Sequence, residues 1–111
     1  MKEINNGSDF ILTLTITDAD NVPIPYTQVD WEAQYYTPGG NVYKVGCNNG
    51  ILSPHCEIID SSVNIYVNKF NWGRGGNVRR KIHVSFPDER FSDGRMDVFV
   101  KEQQTDFSIV L

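Results

Sequence analysis

The sequence predicts an all-β fold, an antiparallel sandwich, on three observations. Apolar and polar residues alternate with a period of two in several separate runs, turn-forming residues divide those runs at roughly 8–12-residue intervals, and no segment has the period of an amphipathic helix. Composition agrees, since 12% of residues are aromatic and Val, Ile, Thr and Tyr are abundant, the side chains that fit a pleated, half-buried surface. At 111 residues, 40% hydrophobic and 22% charged, the chain has room for one domain over 1–111 and for a core that needs neither metal nor several disulfides.

The first strand is expected over 9–17, where Phe10, Leu12, Leu14 and Ile16 alternate with Ile11, Thr13, Thr15 and Thr17. Asp18-Ala19-Asp20-Asn21, followed by Pro23 and Pro25, is turn chemistry: Asx side chains cap local backbone, and proline has no N–H for a ladder. A second strand over 28–36 puts Val29, Trp31, Ala33 and Tyr35 on one face and Asp30, Glu32, Gln34 and Tyr36 on the other. Thr37-Pro38-Gly39-Gly40 is a hairpin signal leading to a short strand over 41–46. After a loop containing Cys47, Asn48, Asn49 and Gly50, short strands are expected over 56–59 and 63–68, divided by Asp60-Ser61-Ser62. The glycine-rich segment 69–77 reads as a connection with room for one helical turn. Val78, Arg80, Ile82, Val84 and Phe86 then alternate with Arg79, Lys81, His83 and Ser85, a strand with a basic outward row. A loop over 87–95 and two short strands over 96–101 and 105–111 complete seven or eight strands, the pattern of an immunoglobulin-like β-sandwich.

Charge narrows the function. With 10 Lys and Arg against 14 Asp and Glu the net charge is −4, so the molecule lacks the positive field of a general nucleic-acid binder. The charge is uneven, −6 over residues 1–60 and +2 over 61–111, which favours contact between copies or with a charged partner. The N-terminus has no apolar signal region and no run is long enough for a membrane span, so a soluble protein made in the cytosol is expected. Cys47 and Cys56 fit no redox or zinc motif, and in a reducing compartment both are expected as free thiols.

Catalysis and metal binding are not expected. The only soft metal ligands are Cys47, His55, Cys56 and His83, and the adjacent His55 and Cys56 face opposite ways on an extended chain. Neither histidine sits in a nucleophile signature, and Asp18, Asp20, Asp60, Asp88 and Asp93 all lie in turns, where capping accounts for them. Gly73-Arg74-Gly75-Gly76 lacks the Lys-Ser/Thr ending of a phosphate loop and precedes a strand rather than a helix. No cofactor follows. The stretch 69–81 does gather Lys69, Arg74, Arg79, Arg80 and Lys81 around Phe70 and Trp72. Arg and Trp are favoured anchors in protein interfaces, which makes Phe70, Trp72, Arg74, Arg79 and Lys81 the candidate interface. The competing reading folds Trp72 back as a lid over the end of the sandwich.

Several short motifs together carry a resemblance. Asn6-Gly7-Ser8-Asp9-Phe10-Ile11-Leu12-Thr13-Leu14, the turn Asp18-Ala19-Asp20-Asn21-Val22-Pro23-Ile24 with Asn21 in place of a usual glycine, Tyr35-Tyr36-Thr37-Pro38-Gly39-Gly40, Cys56-Glu57-Ile58-Ile59-Asp60 and Gly75-Gly76-Asn77-Val78 resemble the immunoglobulin-like N-terminal domain of phage baseplate upper proteins (the BppU N-terminal domain) and related virion fibre proteins. Phe86-Pro87-Asp88 with Asp93-Gly94 is similar to the variant seen in gut phages. The resemblance covers almost the whole chain and implies a non-catalytic assembly module of the virion, docking a fibre or receptor-binding body onto the particle, often as a trimer. Its partners would be other virion proteins and copies of itself, as trimer or dimer, with neither nucleic acid nor membrane. Members of that family usually continue into a coiled coil. Here Phe107-Ser108-Ile109-Val110-Leu111 ends the sequence, which leaves a free-standing adaptor, a head or baseplate decoration subunit, or a domain of something longer. A carbohydrate-binding module is the alternative, with Trp72, Tyr36, Tyr43 or Tyr66 stacking on sugar rings.

Overall fold

The alternating runs become strands whose apolar rows face a shared interior. The computed structural model describes residues 2–111, which form nine strands: β1 (Lys2–Asn5), β2 (Phe10–Leu14), β3 (Asp30–Tyr36), β4 (Val42–Asn48), β5 (Ile51–Leu52), β6 (Cys56–Ile59), β7 (Ser62–Val67), β8 (Gly76–Pro87) and β9 (Arg95–Val110). Two sheets result, one of six strands in the order β1-β9-β8-β3-β4-β5 and one of three in the order β2-β7-β6. All pairings are antiparallel except β1 with β9, which is parallel.

Between the sheets lie Trp31, Ala33 and Tyr35 of β3, Val78, Ile82 and Val84 of β8, and Phe107 and Ile109 of β9, facing Leu12 and Leu14 of β2 and Val63, Ile65 and Val67 of β7. Each large aliphatic side chain so buried contributes roughly 1.5–3 kcal/mol. The polar groups of Trp31 and Tyr26 are satisfied. Trp31 Nε1 donates to the Tyr26 carbonyl (2.9 Å), while the Tyr26 hydroxyl accepts from Ile16 N (2.9 Å) and donates to the Ser61 carbonyl (2.8 Å). The Tyr26 ring meets Trp31 edge-on at 5.8 Å.

Several expected elements change in extent, each for a physical reason. The strand expected over 9–17 ends at Leu14, because the Ile16 N–H is taken by the Tyr26 hydroxyl and Thr17 bridges to Pro23. The strands expected over 96–101 and 105–111 are one, Arg95–Val110, and the polar stretch between them is absorbed by irregular pairing rather than a turn. Arg80 pairs with Gln103 and Ile82 with Val100, so two steps along β8 match three along β9; Asn77 pairs with Ser108 and Arg79 with Gln104, two steps against four. Such insertions bend and twist the bulged strand. No helical turn forms in 69–77, whose last residues already belong to β8. Strands β1 and β5 were not expected; each is too short to carry a readable alternation.

The turn carboxylates take the capping duties expected of them at three sites. Asp18 Oδ1 accepts from Asp20 N (2.8 Å) and Val22 N (3.0 Å), Asp88 Oδ1 from Arg90 N (3.0 Å), and Asp93 Oδ1 from Arg95 N (3.2 Å). Cys47 is buried and Cys56 half-buried, and both are free thiols. Gly46 on β4 is required by close approach: a Cβ there would drive into the Trp31 carbonyl oxygen and lie 3.0 Å from the Glu32 Cα. Because those are backbone atoms of a central strand, Gly46→Ala should destabilise the fold by about 1–3 kcal/mol, read as a lower urea midpoint at unchanged m-value.

Candidate protein interface

Segment 69–81 is positioned from both ends by side-chain hydrogen bonds. Asp9 Oδ1 accepts from Lys69 N (2.9 Å), Asn6 Oδ1 from Trp72 N (2.8 Å), and the Thr37 hydroxyl donates to the Arg74 carbonyl (2.8 Å). These bonds fold the segment across the end of the sandwich. Trp72 is consequently 1% exposed, within an aromatic cluster of Phe70 (4.9 Å between ring centroids), Phe10 (6.3 Å) and Tyr43 (6.3 Å). Trp72 cannot anchor a partner in this fold. It is the lid, because its apolar ring gains more from closing the core than from standing in water. Phe70 is half-buried beside it, whereas Arg74, Arg79 and Lys81 are exposed, so the candidate interface reduces to its charged members with Phe70 at the margin.

Arg79 and Lys81 belong to the outer face of the six-stranded sheet. Arg79 Nη1 lies 3.1 Å from Glu102 Oε2, the Tyr36 hydroxyl donates to the same carboxylate, and Lys81 Nζ sits 5.6 Å from the Tyr36 ring centroid. Further along β8, His83 stacks on Phe99 at 4.3 Å with the rings 4° from parallel, and its Nε2 is 3.4 Å from Asp97 Oδ1. Arg95 is ion-paired with Asp30, and its Nε donates to the Ser85 hydroxyl (2.7 Å). The basic row is thus interleaved with Glu102, Asp97 and Asp30, a mosaic of both signs rather than a cationic stripe. A mosaic selects a partner by matching charge patterns, not by bulk attraction.

Electrostatics follow from these pairs. The Arg95 guanidinium bonded to Asp30 holds that carboxyl below its ordinary range, with the Asn49 N–H contributing. Glu102 is likewise lowered, first by the Tyr36 hydroxyl and then by Arg79. In return, burial and the adjacent Glu102 push the Tyr36 phenol up to about 12.

One cluster eluded the sequence reading. Arg80, in the inward row of β8, is half-buried; its Nη2 donates to Gln103 Oε1 (2.9 Å), and its Nε is buried without a partner. The Tyr35 hydroxyl, also buried and unpartnered, lines the same cleft between the sheets with Lys2, Thr13 and Asp106, a space of about 430 Å³. Burial pushes the Tyr35 phenol up. The signal was present as a charged residue inside an otherwise apolar alternation.

The aromatic residues offered for sugar stacking do not share a face. Trp72 is buried, Tyr43 packs edge-on to Phe70 at 5.1 Å, and Tyr36 and Tyr66 lie on the outer faces of different sheets. Among the described residues no three of His, Cys, Asp and Glu converge as metal ligands.

Two expectations test this geometry. Trp72→Ala should cost about 3–5 kcal/mol of stability by denaturant unfolding, as for a core aromatic, whereas Arg74→Ala should stay within about 0.5 kcal/mol. Tyr36 should titrate near 12 when tyrosinate absorbance is followed, and Glu102→Gln should lower that midpoint. Its folded-state value lies above the ordinary 10.0, so the stability it contributes is complete below about pH 10 and is lost as pH rises towards 12.

Compared with protein-family models, with curated proteins and with solved structures, the chain matches none.

Proposed function

We propose that this chain is a non-catalytic, immunoglobulin-like structural module of a phage or prophage virion, acting as a fibre-attachment, adaptor or decoration unit through protein–protein contacts. The strand order supports the fold assignment. In a variable-type immunoglobulin sandwich the sheet that carries the third strand and the last two gains two further strands after the third, while the first, second, sixth and seventh strands form the opposite sheet. The order β9-β8-β3-β4-β5 against β2-β7-β6 is in keeping with that plan, with β1 departing from it by pairing with β9, and the buried Trp31 on β3 is in keeping with the buried tryptophan on the third strand of such domains.

The observation that carries the functional reading is the turn Asp18–Ile24. The phage family it resembles has glycine where this chain has Asn21. Asn21 sits at φ 60°, the left-handed region that glycine adopts freely and asparagine tolerates best among other residues. Asp18 caps the same turn through its Oδ1, and Ile24 N bonds back to the Ile16 carbonyl at 3.0 Å. The substitution therefore keeps the conformation for which the family's glycine is suited. The exposed charges of the outer sheet face, Arg79 and Lys81 among them, and Arg74 beside it supply the contact surface.

A tagged copy produced in cells making the particle should co-sediment with intact virions through a density gradient, and Arg74→Glu with Lys81→Glu should reduce its occupancy severalfold while leaving the melting temperature nearly unchanged. A tagged chain that remains entirely at the top of the gradient would overturn the assembly reading.

A further inference from the structure

Strand β9 is half covered. Its C-terminal residues Phe107–Val110 pair with β1, and β8 lines its whole other side, but among the described residues no strand pairs with the free side of Arg95–Asp106. An edge of this length presents a row of open N–H and C=O groups, which proteins ordinarily hide or exploit. Its middle is apolar: Val98 is 39% and Phe99 74% exposed, with Val100 half-buried beside them.

We infer that this edge binds a second copy of the chain, β9 pairing antiparallel with β9 of its mate about a two-fold axis through Phe99. Self-complementarity selects both partner and register. Centred on Phe99, the pairing sets Val98 opposite Val100 of the mate, Asp97 opposite Lys101, Met96 opposite Glu102 and Arg95 opposite Gln103, with each hetero-pair occurring twice and the apolar and charge-matched pairs nearest the axis. Cross-strand pairs of opposite charge and of apolar side chains are the stabilising kind. Moving the axis one residue towards the N-terminus sets Arg95 against Lys101; moving it one residue the other way sets Phe99 against Lys101 and Val98 against Glu102. Centres at Asp97, Lys101 or Glu102 place a charge on its own copy, and a centre at Met96 runs into the turn before Arg95. Asp97, Phe99 and Lys101 share the outer face, so the axis brings the two Phe99 rings together, each backed by its own stacked His83. The bulge that follows Val100 on the β8 side twists the strand beyond this point and keeps the contact short, with Val98–Val100 and Asp97–Lys101 as its central pairs. The interface falls below the size of a permanent one and forms a concentration-dependent dimer.

This inference extends the assembly reading without depending on it. Sedimentation equilibrium of the intact chain up to about 1 mM should follow a monomer–dimer equilibrium, in keeping with an interface of this size. Asp97→Lys and Lys101→Asp should each weaken dimerisation at least tenfold by setting like charges opposite one another, and the double exchange Asp97→Lys with Lys101→Asp should restore it. Lys101→Asp leaves the His83 contact to Asp97 untouched, so its loss of dimer cannot be ascribed to that pair; thermal melts verify that each variant is folded. Amide exchange over 97–101 should slow only at high concentration. A chain that stays monomeric throughout, or an oligomer indifferent to the single exchanges, or a folded double exchange that stays monomeric, would each overturn the dimer. If the tagged chain still co-sediments with virions, the assembly reading survives that loss.

Discussion

The inward row of β3 is the constraint on which the molecule depends. Trp31, Ala33 and Tyr35 lie on the central strand of the larger sheet and fill the space to the smaller one. Burying an indole requires a partner for its N–H, and the Tyr26 carbonyl provides it. That bond sets the course of the β2–β3 connection, whose Tyr26 hydroxyl then joins Ile16, just past β2, to Ser61, just before β7, and so closes one end of the smaller sheet. One ring system thereby links chain segments distant in sequence. Gly46 belongs to the same arrangement, since the Trp31 carbonyl comes close enough to β4 to exclude a side chain there.

A second consequence is the division of labour among aromatic residues. Trp72 is drawn inward because the end of the sandwich would otherwise leave Phe10, Tyr43 and Phe70 more open to water. Once that lid is closed by Asn6 and Thr37, segment 69–81 shows at the surface chiefly its cations, with Phe70 half-buried at the margin. Phe99 does the reverse. It lies beyond the reach of the smaller sheet, on the outer face of a strand bare on one side, and finds only the His83 ring. An apolar ring in that position is retained at a cost in hydration, and contact with another apolar surface would relieve it.

Ion pairs contribute little to holding the fold together. Arg79 with Glu102, and Arg90 with Asp88, are solvent-exposed pairs of the kind that add at most about 1 kcal/mol each. Across the outer face of the large sheet, Arg79, His83 and Arg95 alternate with Glu102, Asp97 and Asp30, a local pattern that the net charge of −4 does not describe.

The all-β class, the inward rows of β3, β7 and β8 and the turns at Asp18, Gly39 and Asp93 were legible in the sequence, because alternation and turn chemistry are local properties read over a few residues. The exposure of Arg74, Arg79 and Lys81 was legible too, as the basic outward row of an alternating run and the loop before it. The sequence did not disclose β1, β5 or the continuity of β9, since a strand that short, or one interrupted by Lys101-Glu102-Gln103-Gln104, is made a strand by the neighbour it pairs with. Nor did it decide whether Trp72 faces water or core, or that Arg80 meets Tyr35 between the sheets. Those outcomes depend on which distant residues arrive at the same place. Local pattern determined what each segment could become; the closing of one sheet over the other decided which side chains remained outside to be used.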